Sequence, residues 1–164
     1  MSSRDRYLYR ALRKLEIDSG YVLIPKSQGP FVRASKFGID TTFPISLVPT
    51  EENAVRQHQW KQNGLPTSGI STTPHLERAR FYAANGVIVR IDRHLLAQHG
   101  IKEYRIRDYL LKDPQNVAVP EDDEVILVKE DGGDFPREII VHIIMLSPSA
   151  TGRHEQSQAC PWAS

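Results

Sequence analysis

The sequence predicts an α+β domain in which short antiparallel strands pack as a small sandwich or split barrel. Helical and loop-rich segments dominate the first half of the 164-residue chain, and several short apolar strands follow. The connections between the later strands are too short for the crossover helices of a parallel sheet. A chain of this length fits one domain, which we assign to residues 1–146, with a flexible tail at 147–164.

The first half begins with a strand and continues through turns. Residues 7–12, with the sequence YLYRAL, predict the first strand. Seven glycines and prolines between residues 19 and 50 predict loops with short strands such as Tyr21–Ile24. A helix is expected from Asn53 to Gln62, and a small strand or turn at Ile70–Thr73.

The second half alternates short helices with strands. Thr73 is the expected N-cap, and Pro74 the first residue, of a helix that ends near Ala84. A second short helix is expected at Arg93–His99. Residues 112–123 are polar and read as a surface loop. The predicted strands are 86–92, 103–110, 124–128 and 138–146.

Composition excludes several classes of protein. The 21 basic and 20 acidic residues give a net charge of +1, which does not indicate a strongly electrostatic binder of nucleic acid or membranes. One cysteine excludes an intramolecular disulfide and a Cys-rich zinc site, and the histidine spacings match no metal motif. No dinucleotide or phosphate-loop glycine motif is found. The chain also lacks a long apolar segment and a signal peptide, so we expect it to be cytoplasmic where it is made or delivered, and secretion without a cleaved signal stays open.

Three features carry possible chemistry. The first is Arg10 within the apolar strand YLYRAL. An arginine there can point outward on an edge strand. Alternatively, its guanidinium can clamp an anion, because its fork of donors matches phosphate oxygens.

The second feature is the run Ser71-Thr72-Thr73, followed by a helix that carries Phe81 and Tyr82. It can be a helix cap with core aromatics. It can equally brace a catalytic carboxylate and offer a ring to a flat ligand.

The third feature is the acidic run that ends at Glu124 and opens an apolar strand. Such runs are usually solvated turns. The alternative is a carboxylate that faces a cleft, with a mobile loop before it.

In this order the three features resemble the ADP-ribosyltransferase family, and specifically its Arg–Ser–Glu class, typified by cholera-like toxins and small effector domains. The matching residues are Arg10, Ser71-Thr72-Thr73 and Asp122-x-Glu124, and the resemblance covers about residues 7–146. It implies a split pair of antiparallel β-sheets, a β-sandwich with a helical N-terminal half and a central cleft for NAD.

The resemblance also implies a mechanism. NAD, as co-substrate, would lose nicotinamide through an oxocarbenium-like transition state. Glu124 would accept a hydrogen bond from the ribose 2′-hydroxyl, Ser71 would orient Glu124, and Arg10 would hold the phosphates or the adjoining ribose. Thr72 and Thr73 would support the NAD site, and Tyr82 or Phe81 would contact nicotinamide.

The acceptor of ADP-ribose follows less directly from the resemblance. Asp122 occupies the position that helps the family to select an acceptor, and it is shorter than the usual Glu or Gln. The loop at 112–123 has no strong positive patch, which favours a protein or small-molecule acceptor and leaves nucleic acid open. A toxin or effector role, with an immunity or carrier protein as partner, is expected by analogy. The alternatives are an NAD glycohydrolase and a non-catalytic binding module.

Overall fold

The computed structural model describes residues 6–31, 51, 54–55, 58, 67–110 and 119–148. Their strands form two three-stranded antiparallel sheets, with the orders β1-β3-β6 and β2-β5-β4. The first sheet contains β1 (Tyr7–Ala11), β3 (Val87–Asp92) and β6 (Ile140–Met145). The second contains β2 (Ile70–Thr72), β4 (Ile101–Arg105) and β5 (Val125–Lys129). The α+β class and the pair of antiparallel sheets predicted from the sequence are confirmed.

The two sheets meet at one isolated bridge, between Tyr9 of β1 and Thr73 at the end of β2. The Tyr9 amide donates to the Thr73 carbonyl at 2.7 Å, and the Thr73 amide donates to the Tyr9 carbonyl at 3.0 Å. Because Arg10 follows Tyr9 and Ser71 precedes Thr73 by two residues, this bridge brings the first two sequence features together.

Apolar residues cover both faces of the second sheet. Side chains of alternate positions in a strand point to opposite faces. Ile70, Val125 and Leu127 pack with Leu8 and Val89 of the first sheet in one core cluster. A second cluster contains Phe31, Val55, Tyr104, Ile126 and Val128. Strand β5 is therefore an almost continuous apolar run, as expected for a central strand buried on both sides.

Three short α-helices have bounds within the described residues: α1 (Lys14–Asp18), α2 (Leu76–Tyr82) and α3 (Ile106–Leu110). Of these, only α2 was predicted as a helix, and it is shorter than the predicted range. Of the predicted helix at 53–62, residues 54, 55 and 58 are described, and all three are helical, as is residue 51. Strands β1 and β2 also belong to the first half, so a predominantly helical N-terminal half is not confirmed.

The expected start of α2 was wrong. His75 is its N-cap, and Thr73 and Pro74 precede the helix. The Thr73 backbone is held in the bridge to Tyr9, and its hydroxyl donates to the Asp122 carbonyl at 2.6 Å. The position of Thr73 is thus set by two partners distant in sequence, which local capping rules do not anticipate.

Three further predictions were confirmed only in part or were wrong. The strand predicted at 103–110 ends at Arg105, and α3 begins where the Ile106 amide donates to the Glu124 carbonyl at 3.0 Å. Residues 93–99 form two 3-10 turns instead of a helix, and Gly100 closes the second with φ of 65°. No regular strand forms at Tyr21–Ile24, where Tyr21 has φ of 65°.

No helix in the described ranges is long and apolar enough to cross a membrane. The predicted tail at 147–164 lies outside the described residues except for its first two, and so does the predicted loop at 112–123 up to residue 118.

Candidate functional site

Arg10, Ser71 and Glu124 come together from three separate parts of the chain. Arg10 Nη1 donates to the Ser71 carbonyl at 2.9 Å. Glu124 lies just before β5, whose residues Val125 and Ile126 pair with Thr72 and Ser71. The Glu124 side chain is 10% exposed. The three residues singled out from the sequence therefore share one region at the junction of the two sheets.

The Arg10 guanidinium is buried, and the residue is only 4% exposed. Its Nη2 donates to both carboxylate oxygens of Glu16, at 3.2 and 3.4 Å. Burial lowers the pKa of Arg10, and the nearby charge of Glu16 opposes that shift. The alternative of an outward-pointing arginine on an edge strand is thus wrong, and the guanidinium is committed to protein acceptors on two elements.

Glu16 is a residue that the sequence analysis missed. It is fully buried in α1 and accepts from the Arg13 amide at 2.9 Å, from Arg13 Nη2 at 3.2 Å and from the Ile24 amide at 3.2 Å. Burial acts to raise the pKa of Glu16, but the charge of Arg10 and the hydrogen bonds from Arg13 outweigh it, so the pKa lies below its ordinary value. A Glu three residues after the helix N-cap was the available signal.

His58 is the second residue that was missed, and it joins Ser71 to Glu124. Its Nε2 lies 2.9 Å from Ser71 Oγ and 3.7 Å from Glu124 Oε1. Its Nδ1 contacts the Thr67 hydroxyl. Burial, and then the positive charges of Arg10 and Lys26, lower the pKa of His58 to about 3. The imidazole is therefore neutral at physiological pH. No sequence spacing marked this histidine.

Thr72 and Thr73 hold the backbone on both sides of Glu124. Thr72 Oγ1 donates to the Val125 carbonyl at 2.7 Å, and Thr73 Oγ1 donates to the Asp122 carbonyl at 2.6 Å. Both residues are completely buried. Their hydroxyls thus brace the segment that carries Glu124. Direct binding of NAD would require exposed hydroxyls, and neither of these two is exposed.

Asp122 is buried rather than open to an acceptor. It is 2% exposed, and its carboxylate accepts from Arg78 Nε at 2.7 Å and from the Tyr82 hydroxyl at 2.6 Å. Burial, followed by the hydrogen bond to Asp122, raises the pKa of Tyr82. Tyr82 is thus a buried partner of Asp122. Phe81 is 62% exposed, and the Arg78 guanidinium lies over its ring, 5.0 Å from the centroid.

The turn before Glu124 is fixed from the opposite side as well. Residues Pro120–Asp122 form a 3-10 turn, and Asp123 closes it with φ of 47°. Arg107 of α3 pairs with the Asp123 carboxylate at 2.6 Å. Asp122 and Asp123 therefore tie this turn to α2 and α3, and the next residue, Glu124, points back toward His58.

Metal chemistry gains no support within the described ranges, where no group of three or more His, Cys, Asp or Glu side chains could hold an ion. A cavity of about 220 Å³ lies elsewhere, and Phe31, Tyr104 and Val128 are among its lining residues. None of Arg10, Ser71 or Glu124 lines it. Comparison with family models, with curated proteins and with solved structures gives no match for this chain.

Proposed function

We propose that this protein is a mono-ADP-ribosyltransferase that cleaves the bond between nicotinamide and ribose in NAD. One observation carries the proposal, namely the convergence of Arg10, Ser71 and Glu124 at the junction of two antiparallel sheets. The three residues are far apart in the sequence: Arg10 and Ser71 are separated by 61 positions, and Ser71 and Glu124 by 53. The same three types of residue, in the same order, are what the family resemblance requires.

Glu124 is the catalytic residue of this proposal. The carboxylate is largely buried, so its charge acts in a region of lowered dielectric constant. It accepts a hydrogen bond from the ribose 2′-hydroxyl and stabilises the positive charge that develops on the ribose as nicotinamide leaves. A glutamine at this position would keep the size of the side chain and remove that charge.

Ser71 and Arg10 shape the same site. The Ser71 hydroxyl orients Glu124 and can donate to a ligand oxygen. Arg10 fixes the Ser71 backbone through its carbonyl and is itself held by Glu16. Because the guanidinium is buried among protein acceptors, we propose that Arg10 positions β2. Its positive charge would act on the NAD site electrostatically, without direct contact. Direct clamping of phosphate oxygens would require a rearrangement of Arg10.

The nicotinamide ring is cationic before cleavage, and an aromatic face suits it. Phe81 is the ring that we assign to this contact, because Tyr82 is buried against Asp122. We propose a protein side chain as acceptor and a toxin or effector as the biological setting, with an immunity or carrier protein as partner. These assignments rest on the resemblance alone.

The position of Asp122 favours a second candidate function, an NAD glycohydrolase. The family uses this residue to help select the acceptor, and here both of its carboxylate oxygens accept hydrogen bonds from α2. Because the Asp122 carboxylate is already hydrogen-bonded within the protein, it is not available to select a protein acceptor, and water is then the simplest acceptor of ADP-ribose. The chemistry at the nicotinamide–ribose bond is the same in both candidates.

NAD labelled in its adenylate group separates the two candidates. The protein is incubated with labelled NAD, with and without a cell lysate, beside the Glu124→Gln variant. Transfer attaches label to a macromolecule, whereas hydrolysis leaves all of it as free ADP-ribose. Both products should disappear in Glu124→Gln. Intact NAD in every reaction with folded wild-type protein, lysate included, would overturn the proposal.

A further inference from the structure

We propose that His58 is a positioning residue that joins Ser71 to Glu124, and that it does so as the neutral tautomer with its hydrogen on Nε2. The contacts of His58 with Ser71 and Glu124 follow from the geometry alone. The effect of these contacts on catalysis rests on the proposed function. His58 belongs to none of the three sequence features, and it lies between two of them.

The contacts of the two ring nitrogens favour one tautomer. The Thr67 hydroxyl contacts His58 Nδ1 and also accepts from the Gly69 amide at 3.3 Å, which leaves its single hydrogen available for Nδ1. The Glu124 carboxylate oxygen, 3.7 Å from Nε2, favours a hydrogen rather than a lone pair on that nitrogen. Together these contacts make Nδ1 the acceptor and place the hydrogen of the neutral ring on Nε2. That hydrogen points to Ser71 Oγ at 2.9 Å, with Glu124 Oε1 at 3.7 Å from the same nitrogen.

This tautomer leaves the Ser71 hydroxyl in a defined role. Ser71 Oγ accepts from His58, so its own hydrogen can be donated to the Glu124 carboxylate or to a ligand oxygen. A neutral ring also adds no positive charge of its own beside the Glu124 carboxylate. On the proposed function, the imidazole therefore does not compensate the negative charge that stabilises the developing oxocarbenium ion.

The surroundings hold the ring in place. Gly69 leaves room for it, since a Cβ there would lie 3.2 Å from His58 Nδ1 and 2.7 Å from the Ile126 side chain. The Phe31 ring packs beside it, with centroids 6.2 Å apart. The charged groups that face the imidazole are Arg10, Lys26 and Glu124. A ring confined in this way can fix the geometry of both Ser71 and Glu124.

Two measurements test the inference, and one does not depend on catalysis. Long-range ¹H–¹⁵N correlation spectra of the His58 ring should show a protonated Nε2 and an unprotonated Nδ1 from pH 5 to 8. Glu124→Gln should shift the Nε2 resonance, while Glu121→Gln, at an exposed position in the same turn, should not. An Nδ1-protonated ring, a cation at pH 7, or an Nε2 resonance indifferent to Glu124→Gln would overturn the inference.

Steady-state nicotinamide release tests the consequence. His58→Leu should lower kcat by about 100-fold with little change in KM, because a misplaced carboxylate affects the transition state more than substrate binding. His58→Gln should restore most of kcat, since its amide can donate from near the position of Nε2. If His58→Leu does not fold, Thr67→Val takes its place, and loss of the donor to Nδ1 should lower kcat. Unchanged kcat in folded His58→Leu, or in Thr67→Val, contradicts a positioning role.

The two measurements also separate the inference from the proposed function. If folded wild-type protein releases no nicotinamide, the proposed function fails and the catalytic role of His58 fails with it. The ring spectra then still decide whether His58 joins Ser71 to Glu124. If nicotinamide is released but the spectra show the other tautomer, the function stands and the inference fails.

Discussion

Replacement of Glu16 by glutamine tests whether the buried carboxylate supports the site as the structure indicates. Glu16 Oε1 accepts from Arg10, Arg13 and the Ile24 amide, and Oε2 accepts from Arg10 and the Arg13 amide. A glutamine must turn its NH2 group toward one of these two sets. Arg10 Nη2 can keep the remaining oxygen, but at least one other donor, the Arg13 amide, loses its acceptor, or else both Arg13 Nη2 and the Ile24 amide do. The Arg10 charge also stays buried without its partner.

The magnitude follows from these contacts. A buried donor left without an acceptor costs about 1–3 kcal/mol. Loss of one partner of a buried ion pair costs about 3–5 kcal/mol in total. We expect the free energy of unfolding to fall by about 3–5 kcal/mol, and the melting temperature by about 10 °C for a chain of this size. Asp18→Asn is the matched control on the same helix. Asp18 is exposed and pairs with Lys14, so the control should change stability by less than about 0.5 kcal/mol.

The assay is urea denaturation of both variants and the wild type, followed by circular dichroism from pH 7 to pH 3. The folded-state pKa of Glu16 is lower than its ordinary value of 4.5. The contribution of Glu16 is therefore complete above that value and is lost as the pH falls through the folded-state pKa. The gap between the wild type and Glu16→Gln should therefore narrow progressively as the pH falls below about 4.5. A Glu16→Gln variant as stable as Asp18→Asn at pH 7, or a gap in stability that is constant with pH, would show that the Glu16 carboxylate does not stabilise this region through its charge.

Three other predictions concern the backbone and the network around Asp122. Gly132→Ala should destabilise the protein strongly in thermal melts, because a Cβ at φ of 67° would lie 2.1 Å from the Gly29 carbonyl oxygen. Gly20→Ala, at φ of 86° with nothing within 4 Å, is its control and should cost only about 1–2 kcal/mol; equal effects would show that the contact with Gly29 is unimportant. Tyr82→Phe removes the hydrogen bond to Asp122 and should cost about 1–3 kcal/mol in urea denaturation, while an unchanged midpoint would contradict the buried pairing. Alkaline titration of the wild type, followed by phenolate absorbance, should show Tyr82 ionising later than an ordinary tyrosine because burial and Asp122 raise its pKa.

The sequence was informative where a pattern is local. The aromatic-rich run YLYRAL predicted the first strand, and the structure confirms it at Tyr7–Ala11, with Arg10 inside it. The β-branched run at Val87–Asp92 and the breaker residues around it gave a strand close to its observed bounds. These features depend on neighbours in the chain, so propensity and alternation are enough to predict them.

The sequence failed where long-range partners decide. The change from β4 to α3 at Ile106 depends on a hydrogen bond to the Glu124 carbonyl. The burial of Asp122 depends on Arg78 and Tyr82, and Tyr82 lies 40 residues earlier in the chain. His58 acquires its place only when β2 and the turn before β5 come together. None of these long-range contacts produces a pattern in the neighbouring sequence.

The most direct test of the central claim is nicotinamide release from NAD by the wild type, by Glu124→Gln and by Glu121→Gln. Glu124 is largely buried beside His58, whereas Glu121 is exposed three residues earlier in the same turn. We expect nicotinamide release by the wild type, wild-type rates in Glu121→Gln, and a loss of about 100-fold or more in folded Glu124→Gln. Release that persists unchanged in Glu124→Gln would show that this carboxylate is not the catalytic group and would contradict the account.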